Sequence, residues 1–200
     1  MQAIAHLKTP QVLTIDALLA MPAHASRPII DVRTPSEYDD DHLPGAVNHP
    51  VLGSDERVLI GTINRQAGAF EANIRGAALV SANIAAMLAG PFAAQPRDWN
   101  PVVYCWRGGS RSWSLATVLA RIGWRTGLLE GGYRSYRQRI VAEIDRLVAG
   151  FRFVVVAGPT GTGKTRLLGR LGELGLQVLD LEGLANHRGS VLGGLPDSPQ

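Results

Sequence analysis

The fold is decided by residues 101–112, whose sequence is PVVYCWRGGSRS. Residues 101–104 are a short apolar run with two β-branched side chains, which predicts a buried strand. After the glycine-containing segment that begins at Cys105, apolar residues recur at the spacing of one helical face. They are Leu115, Val118, Leu119 and Ile122. The sequence therefore predicts a strand, a tight loop and a helix, in that order.

Similar units lie on both sides of this stretch. Compact apolar runs predict strands at residues 28–32, 43–48, 127–130, 153–157 and 177–180. Helical patterns lie between them, at residues 15–20 behind a Thr14 cap, at 55–89 with breaks near Gly68 and Gly76, at 133–148, and after Thr165 up to residue 174. Strands that alternate with helices predict the α/β class, with a mainly parallel sheet and helices on both faces.

Length and composition limit the class of protein. The chain has 200 residues, of which 46% are hydrophobic and 18% are charged. This composition excludes a disordered, highly charged protein. The length allows one or two domains, and we expect a first domain over residues 1–150 and a second over residues 151–200.

The cysteine content and the N-terminus indicate the compartment. Cys105 is the single cysteine, so no intrachain disulfide can form. The N-terminus lacks the basic and apolar regions of a signal peptide, which makes the reducing cytoplasm the expected location. The uncharged residues 76–95 are rich in Ala and include Asn83 and Pro91, so we expect a buried helix there and no membrane partner.

Positive charge is concentrated in the middle of the chain. Residues 1–96 have a net charge of −3, residues 97–152 of +6 and residues 153–200 of zero. All ten cations of the middle segment are Arg, which suits bidentate contacts with phosphate. Arg134, Arg137 and Arg139 lie on its amphipathic helix. We therefore expect these three side chains to contribute to nucleic-acid binding.

The first candidate site is the loop that begins at Cys105. A sulfur at the end of a strand, just before a helix, meets backbone N–H groups and the positive end of the helix dipole. Arg107 and Arg111 add positive charge, and the thiolate needed for nucleophilic attack is favoured. The residues expected to stabilise an anion in this loop are Arg107, Gly108, Gly109, Ser110 and Arg111.

Two chemistries are compatible with this loop. A cysteine followed by five residues and an arginine, as from Cys105 to Arg111, is the pattern of cysteine-dependent phosphatases. Tyr104 replaces the histidine usual before that cysteine, and no loop aspartate stands out as the acid for the leaving group. The alternative is transfer of sulfur or selenium through a persulfide or selenosulfide on Cys105, because the same amides would hold its terminal anionic atom.

The second candidate site is the phosphate loop GPTGTGKT at residues 158–165, which fits the Walker A pattern completely. Its phosphate-binding residues are Gly158, Gly161, Thr162, Gly163, Lys164 and Thr165. The glycines let backbone N–H groups surround an oligophosphate, and Lys164 adds a point charge. Thr165 and Asp180 are candidate Mg²⁺ ligands, with Glu182 as an alternative carboxylate.

The residues of both sites carry a resemblance. DVRTPSEY at residues 31–38 and DHLPGAVN at residues 41–48 resemble the opening half of a rhodanese domain. Residues 104–112 and LEGGY at residues 129–133 resemble its active loop and closing turn, although the loop is one residue longer. With segments at residues 61–72 and 76–80 and the phosphate loop downstream, the chain resembles the tRNA 2-selenouridine synthases.

The resemblance implies a specific activity. The sulfur of wobble 2-thiouridine in tRNA is replaced by selenium, with selenophosphate as donor and a geranylated thiouridine as intermediate. Cys105 is implied to carry the selenium, and geranyl diphosphate is favoured over ATP at the phosphate loop. No tightly bound cofactor is implied, apart from the candidate Mg²⁺.

The resemblance also covers residues that we interpret as structural. Asp31, Arg33, Glu37 and His42 match rhodanese positions, and we expect Asp31 and Arg33 to tie the strand end to neighbouring loops. Residues 39–41, all aspartates, are interpreted as a solvated acidic run.

The second domain is expected to be incomplete, since one strand, loop, helix and strand follow Gly150. This adds a third hypothesis, a fragment that only carries selenium or is inactive. Residues 193–200 read as a loop. Residues 186–190 resemble a family segment, in which we derive no role for His187 or Arg188.

Overall fold

The computed structural model describes residues 9–21 and 27–187. Contacts divide the chain into two compact units, Met1–Ala149 and Gly150–Gln200. The expected loop at residues 193–200 and the position of Arg188 lie outside the described residues.

The first unit is built around a sheet of five strands. They are β1 (Gln11–Leu13), β2 (Ile29–Asp31), β3 (Ala46–Asn48), β4 (Val102–Tyr104) and β5 (Gly127–Leu129). Their order is β1-β5-β4-β2-β3, and every pair is parallel. The predicted α/β class with a parallel sheet is confirmed. The sequence analysis missed β1, because three residues with one buried side chain are too short a pattern.

Eight helices are described. They are α1 (Ile15–Leu19), α2 (Pro35–Asp40), α3 (Ser54–Gln66), α4 (Ala69–Ala89), α5 (Ser110–Ile122), α6 (Gly132–Ala149), α7 (Lys164–Glu173) and α8 (Leu181–Leu184). Thr14 caps α1 by accepting a hydrogen bond from the N–H of Ala17, as expected. Thr34 and Glu37 form a capping box at the start of α2. These caps fix where each helix leaves its strand.

The core of the first unit lies on both faces of the sheet. Val102 and Tyr104 belong to one cluster, with residues of α1 and the start of α6. Val103 and Cys105 belong to the other, with residues of α4 and α5. This alternation follows from the two-residue period of a strand. It points Cys105 toward the face that α5 covers.

Helices α3 and α4 differ from the prediction. Residues 55–89 break at Gly68, as expected, but α4 continues through Gly76. The expected buried helix at residues 76–95 is also wrong, because α3 and α5 cover α4 only in part and a groove of about 630 Å³ stays open between α4 and α5. Among the described helices, only α4 has the length and apolar composition to cross a membrane. Of its most apolar 18-residue stretch, 17% is buried.

The second unit contains α7 and α8 but not the strands predicted at residues 153–157 and 177–180. Val154 and Val155 are 87% and 82% exposed. A β-branched run becomes a strand only when a neighbouring strand satisfies its backbone groups, and no such ladder forms within the described part of this unit. The prediction failed because it used the local pattern alone.

Candidate active site

Cys105 lies directly after β4 and is 3% exposed. Two backbone hydrogen bonds hold its loop to the start of α6. The N–H of Tyr133 donates to the carbonyl of Cys105 at 2.8 Å, and the N–H of Arg134 donates to the carbonyl of Trp106 at 3.0 Å. The closing turn expected from residues 129–133 therefore positions the active loop directly.

Two glycines allow this close approach. A Cβ atom on Gly132 would lie 2.1 Å from the carbonyl oxygen of Cys105, and Gly132 also has a φ of +58°. Gly108 has a φ of +68°, and a Cβ there would lie 3.0 Å from the carbonyl oxygen of Leu129. Only glycine fits either position without moving backbone atoms.

The sulfur of Cys105 has a hydroxyl neighbour that the sequence analysis missed. The Oγ atom of the buried Ser112 lies 3.2 Å from the sulfur and 3.1 Å from the carbonyl oxygen of Gly109. One hydroxyl proton serves both acceptors, and a negatively charged sulfur is the stronger one. The available signal was position, because Ser112 lies in the first turn of the helix that begins at the loop.

The backbone of the loop offers further donors. Within the described residues, no backbone bond uses the N–H of Trp106, Arg107, Gly108 or Gly109 as donor. Ser110 begins α5, whose N-cap Gly109 has no side chain to satisfy the first turn. These N–H groups, together with the helix dipole, can bind an anion next to the sulfur.

Arg111 has a carboxylate partner that the sequence did not predict. Its guanidinium forms two hydrogen bonds with the carboxylate of Glu37, at 2.6 and 3.2 Å. Burial opposes the charge on Glu37, but hydrogen bonds from Arg111 and from the N–H of Thr34 outweigh it and lower the pKa of Glu37 to about 2. Arg111 thus ties α5 to α2, and its charge is balanced before any ligand arrives. Arg107 is exposed and has no ionic partner among the described residues.

Asp31 and Arg33 form a fully buried ion pair below the loop. The guanidinium of Arg33 bonds both carboxylate oxygens of Asp31 and the backbone carbonyl of Asp41. Burial opposes the charge on Arg33, but Asp31 outweighs it and raises the pKa of the guanidinium. The pair ties the end of β2 to the following loop, in agreement with the structural interpretation of these residues.

Asp41 makes contacts that we did not expect, although its side chain is 45% exposed. Its carboxylate accepts a hydrogen bond from the hydroxyl of Tyr133 and forms an ion pair with Arg137 at 3.4 Å. Burial and the Asp41 carboxylate raise the pKa of Tyr133 to about 12. The exposed Asp39 and Asp40 agree with the interpretation of a solvated acidic run, whereas the partners of Asp41 are distant in sequence and were not predicted. His42 stacks on Tyr38 and its Nδ1 contacts the Tyr38 carbonyl, which is a structural role.

Two of the three expected nucleic-acid contacts have carboxylate partners. Arg137 pairs with Asp41, and Arg139 pairs with Asp16 and Glu143. Arg134 is exposed, and no carboxylate among the described residues pairs with it. The free positive charge of α6 is therefore greatest at its first turn, beside the active loop.

The phosphate loop has the local shape of its motif. Gly161 and Gly163 adopt φ values of +81°, and α7 begins directly after them at Lys164. The Nζ atom of Lys164 donates to the carbonyls of Gly158 and Pro159 at 2.8 and 2.9 Å, and Thr162 also donates to Pro159. Lys164 thus lies across the mouth of the loop, where a phosphate group would replace the carbonyls as its partner.

The candidate metal ligands are only partly brought together. The Oγ1 atom of Thr165 lies 3.5 Å from a carboxylate oxygen of Glu182, whereas Asp180 caps α8 by accepting from the N–H of Gly183. No cluster of three or more metal-ligating side chains occurs in the described part of the chain. Glu182 is therefore the better-placed carboxylate.

Two family models match the chain. The rhodanese-like domain matches residues 14–139, and the tRNA 2-selenouridine synthase AAA domain matches residues 151–200. Among solved structures, the N-terminal domain of a Clostridium difficile 630 protein described as ATP/GTP binding has 34% sequence identity and a TM-score of 0.56. That match covers 66% of this chain and 99% of the other.

Curated relatives match over most of the chain. The protein of Nitrosomonas europaea named tRNA 2-selenouridine synthase is 39% identical over 179 residues. The protein of the same name from Nitrosomonas eutropha is 38% identical over 181 residues. Each alignment covers 86% of this chain and 44% of the relative. The chain therefore spans less than half the length of these two relatives.

Proposed function

The chain belongs to the rhodanese-like domain family, and on that premise we propose that it acts in a tRNA 2-selenouridine synthase, with Cys105 as the residue that carries selenium. The relatives of that name and the match of residues 151–200 to the AAA domain support the proposal. We further propose that it works in the cytoplasm, where the single cysteine stays reduced.

The observation that carries the proposal is the environment of the sulfur. Cys105 is surrounded by free loop amides and by the Ser112 hydroxyl, while Arg111 is held by Glu37. The cradle is therefore suited to a small terminal anion on the sulfur itself. In the proposed loading step, an external disulfide first converts Cys105 into a mixed disulfide. The selenium of selenophosphate then attacks the Cys105 sulfur, so that an S–Se bond forms and the external thiol leaves as a thiolate. Water attacks phosphorus, and the Se–P bond breaks with its electron pair on selenium, which releases phosphate and leaves a terminal selenide on Cys105.

The second step transfers selenium to the base. We propose that geranyl diphosphate first alkylates the sulfur of 2-thiouridine, with diphosphate as leaving group. The terminal selenide on Cys105 then attacks C2 of the base, and the geranylated sulfur leaves as a thiolate. An external thiolate then attacks the Cys105 sulfur and the S–Se bond breaks, which leaves selenium on the tRNA and restores the mixed disulfide of Cys105.

The phosphate loop fits the diphosphate in this proposal. Its amides and Lys164 would hold the diphosphate group and stabilise the negative charge that develops as it leaves. Thr165 would contribute a hydroxyl ligand to a Mg²⁺ ion on that diphosphate, with Glu182 nearby. Mg²⁺ would supply charge neutralisation, and no tightly bound cofactor is proposed.

The tRNA would lie against the basic side of the first unit. Arg134 is the strongest candidate contact because its charge is free, while Arg137 and Arg139 already pair with carboxylates. The experiment is to measure tRNA affinity over a range of salt concentrations. Arg134→Gln should lower the salt slope by about one, and Arg137→Gln or Arg139→Gln by less.

The decisive test of the function is mass spectrometry of Cys105 after exposure to selenophosphate in a buffer that contains a low-molecular-weight disulfide. Wild type should gain one selenium atom on this residue. Cys105→Ser should gain none while unfolding at the same denaturant concentration, since a hydroxyl of similar size cannot form the selenosulfide. Wild type that takes up neither selenium nor sulfur would contradict the proposal.

One rival function is favoured by the spacing from Cys105 to Arg111, which is that of cysteine-dependent phosphatases. The ion pair of Arg111 with Glu37 disfavours it, because that arginine would have to bind the phosphate. Rapid hydrolysis of aryl phosphates without chalcogen uptake would establish the phosphatase. Uptake of selenium without transfer to tRNA would instead identify a selenium carrier.

A further inference from the structure

An exposed aromatic side chain lies directly beside the nucleophile. Trp106 follows Cys105 in the loop and is 40% exposed, whereas Cys105 is 3% exposed. The indole takes no part in the anion cradle, which is built from backbone N–H groups and Ser112. A small anionic donor gains nothing from this ring, whose exposed face is open to a larger, planar partner.

The buried side of Trp106 is fixed by two neighbours. Its ring lies 5.2 Å from the ring of Tyr133 at an interplanar angle of 31°, and the guanidinium of Arg33 lies 5.9 Å away. Tyr133 is itself held by Asp41 and lies 4.2 Å from Arg33. A ring held on one side loses little conformational freedom when a ligand stacks on the other.

Two arginines beside Trp106 in the loop have no ionic partner among the described residues. Arg107 is the next residue, and the backbone N–H of Arg134 bonds to the Trp106 carbonyl. Both side chains are exposed, unlike Arg111, which pairs with Glu37. The residues next to Trp106 in the chain and in backbone hydrogen bonding therefore carry guanidinium groups that are available to phosphates.

We propose that Trp106 stacks on the nucleobase that reacts at Cys105, while Arg107 and Arg134 contact the phosphates on either side of that base. This inference rests on the proposed function and adds the element that binds the base. Bases in single-stranded RNA loops can be taken out of their stack and placed on aromatic side chains. Trp106 and Cys105 are consecutive residues, so a base stacked on the ring is held by the same loop that carries the nucleophile.

The test is binding of a fluorescent anticodon stem-loop RNA with 2-thiouridine at the wobble position, measured at several salt concentrations. Trp106→Leu should weaken binding about fivefold or more with an unchanged salt slope, because stacking releases no counterions. Trp106→Phe should retain most of the affinity. Trp113→Leu is the matched control, since Trp113 is 43% exposed but lies on α5 in the groove beside α4.

A second RNA with an abasic wobble position makes the test specific to the base. Wild type should bind this abasic RNA about as weakly as Trp106→Leu binds the intact RNA. Trp106→Leu should bind the abasic RNA no more weakly than wild type does. Equal affinity of Trp106→Leu and wild type for the intact RNA would overturn the inference, and circular dichroism of the variant checks its fold. A different result would contradict the proposed function itself, namely wild type that does not take up selenium at Cys105.

Discussion

The loop at Cys105 and the loop at Lys164 are both glycine-containing turns before a helix, yet they differ in how they are held. The first is fixed by backbone hydrogen bonds from α6, by Ser112 and by the Arg111–Glu37 pair. The second is held by bonds within its own motif, and the segment before it forms no ladder among the described residues.

This difference shows what a local motif determines. The Walker pattern is sufficient to give positive φ values at Gly161 and Gly163 and a helix at Lys164. It does not produce the strand that usually precedes such a loop, because a strand depends on distant partners. A preorganised site therefore needs tertiary contacts in addition to its motif. Four predictions test this comparison.

The largest effect is expected at Gly132. Gly132→Ala would place a Cβ atom 2.1 Å from the carbonyl oxygen of Cys105, and we expect it to cost more than about 4 kcal/mol of unfolding free energy. Gly109→Ala is the control in the same loop, since a Cβ there meets no atom within 4 Å.

Gly161→Ala tests the phosphate loop. A Cβ at Gly161 would lie in open space, but its φ is +81°, so we expect a cost of about 1 kcal/mol that affects only the second unit. Urea unfolding of all three variants measures this, and similar losses at Gly132 and Gly109 would contradict the close approach.

The next effect concerns pH. The pKa of Glu37 is lowered from 4.5 to about 2 in the folded protein, so its stabilisation is present above pH 4.5 and is lost as the pH falls toward 2. Glu37→Gln should cost about 1 to 3 kcal/mol at pH 7 and much less near pH 2.

Chemical denaturation at both pH values checks this prediction. Glu71→Gln is the matched control, because Glu71 makes an exposed pair with Arg75 on α4. It should change stability by less than about 0.5 kcal/mol at either pH. A Glu37→Gln penalty that is the same at pH 7 and pH 2 would show that the ion pair is not its source.

A smaller effect is expected at Ser112. Ser112→Ala removes the hydroxyl 3.2 Å from the sulfur, and a hydrogen bond to a charged group is worth about 1.5 kcal/mol or more. Alkylation of Cys105 by iodoacetamide at neutral pH should therefore slow about tenfold. Ser114→Ala, whose hydroxyl bonds only the Ser110 carbonyl, should react like wild type. Unchanged alkylation of Ser112→Ala would remove Ser112 from the anion cradle.

The smallest effect on Cys105 is expected from Lys164→Ala. This change should weaken binding of geranyl diphosphate, measured by calorimetry, because the loop loses its point charge. Selenium loading of Cys105 should stay within about twofold of wild type, since the two loops lie in different compact units. Arg166→Ala is a control for the loss of positive charge on α7. Equal loss of loading and diphosphate binding would mean that the two loops act as one site.

The sequence predicted the parts of the fold that depend on local pattern. The strand before Cys105, the helix after it and the cap at Thr14 follow from periodicity and capping chemistry. The side-chain partners of the site depend on chain segments that are far apart. The carboxylate of Glu37 is 74 residues from Arg111, and Asp41 is 92 residues from Tyr133. No pattern within one segment contains those pairs, so the sequence alone did not predict the partners of Arg111 and Asp41.

The burial of Cys105 has a consequence for the order of events at the site. A sulfur in a residue that is 3% exposed is accessible to a small anion but not to a base still attached to its RNA. A chalcogen atom bonded to it extends the reactive end by about 2 Å toward the solvent. Under the proposed function, the unloaded sulfur therefore admits only the small donor, and the loaded sulfur presents its selenium to the RNA. The donor would then have to bind before the RNA can react.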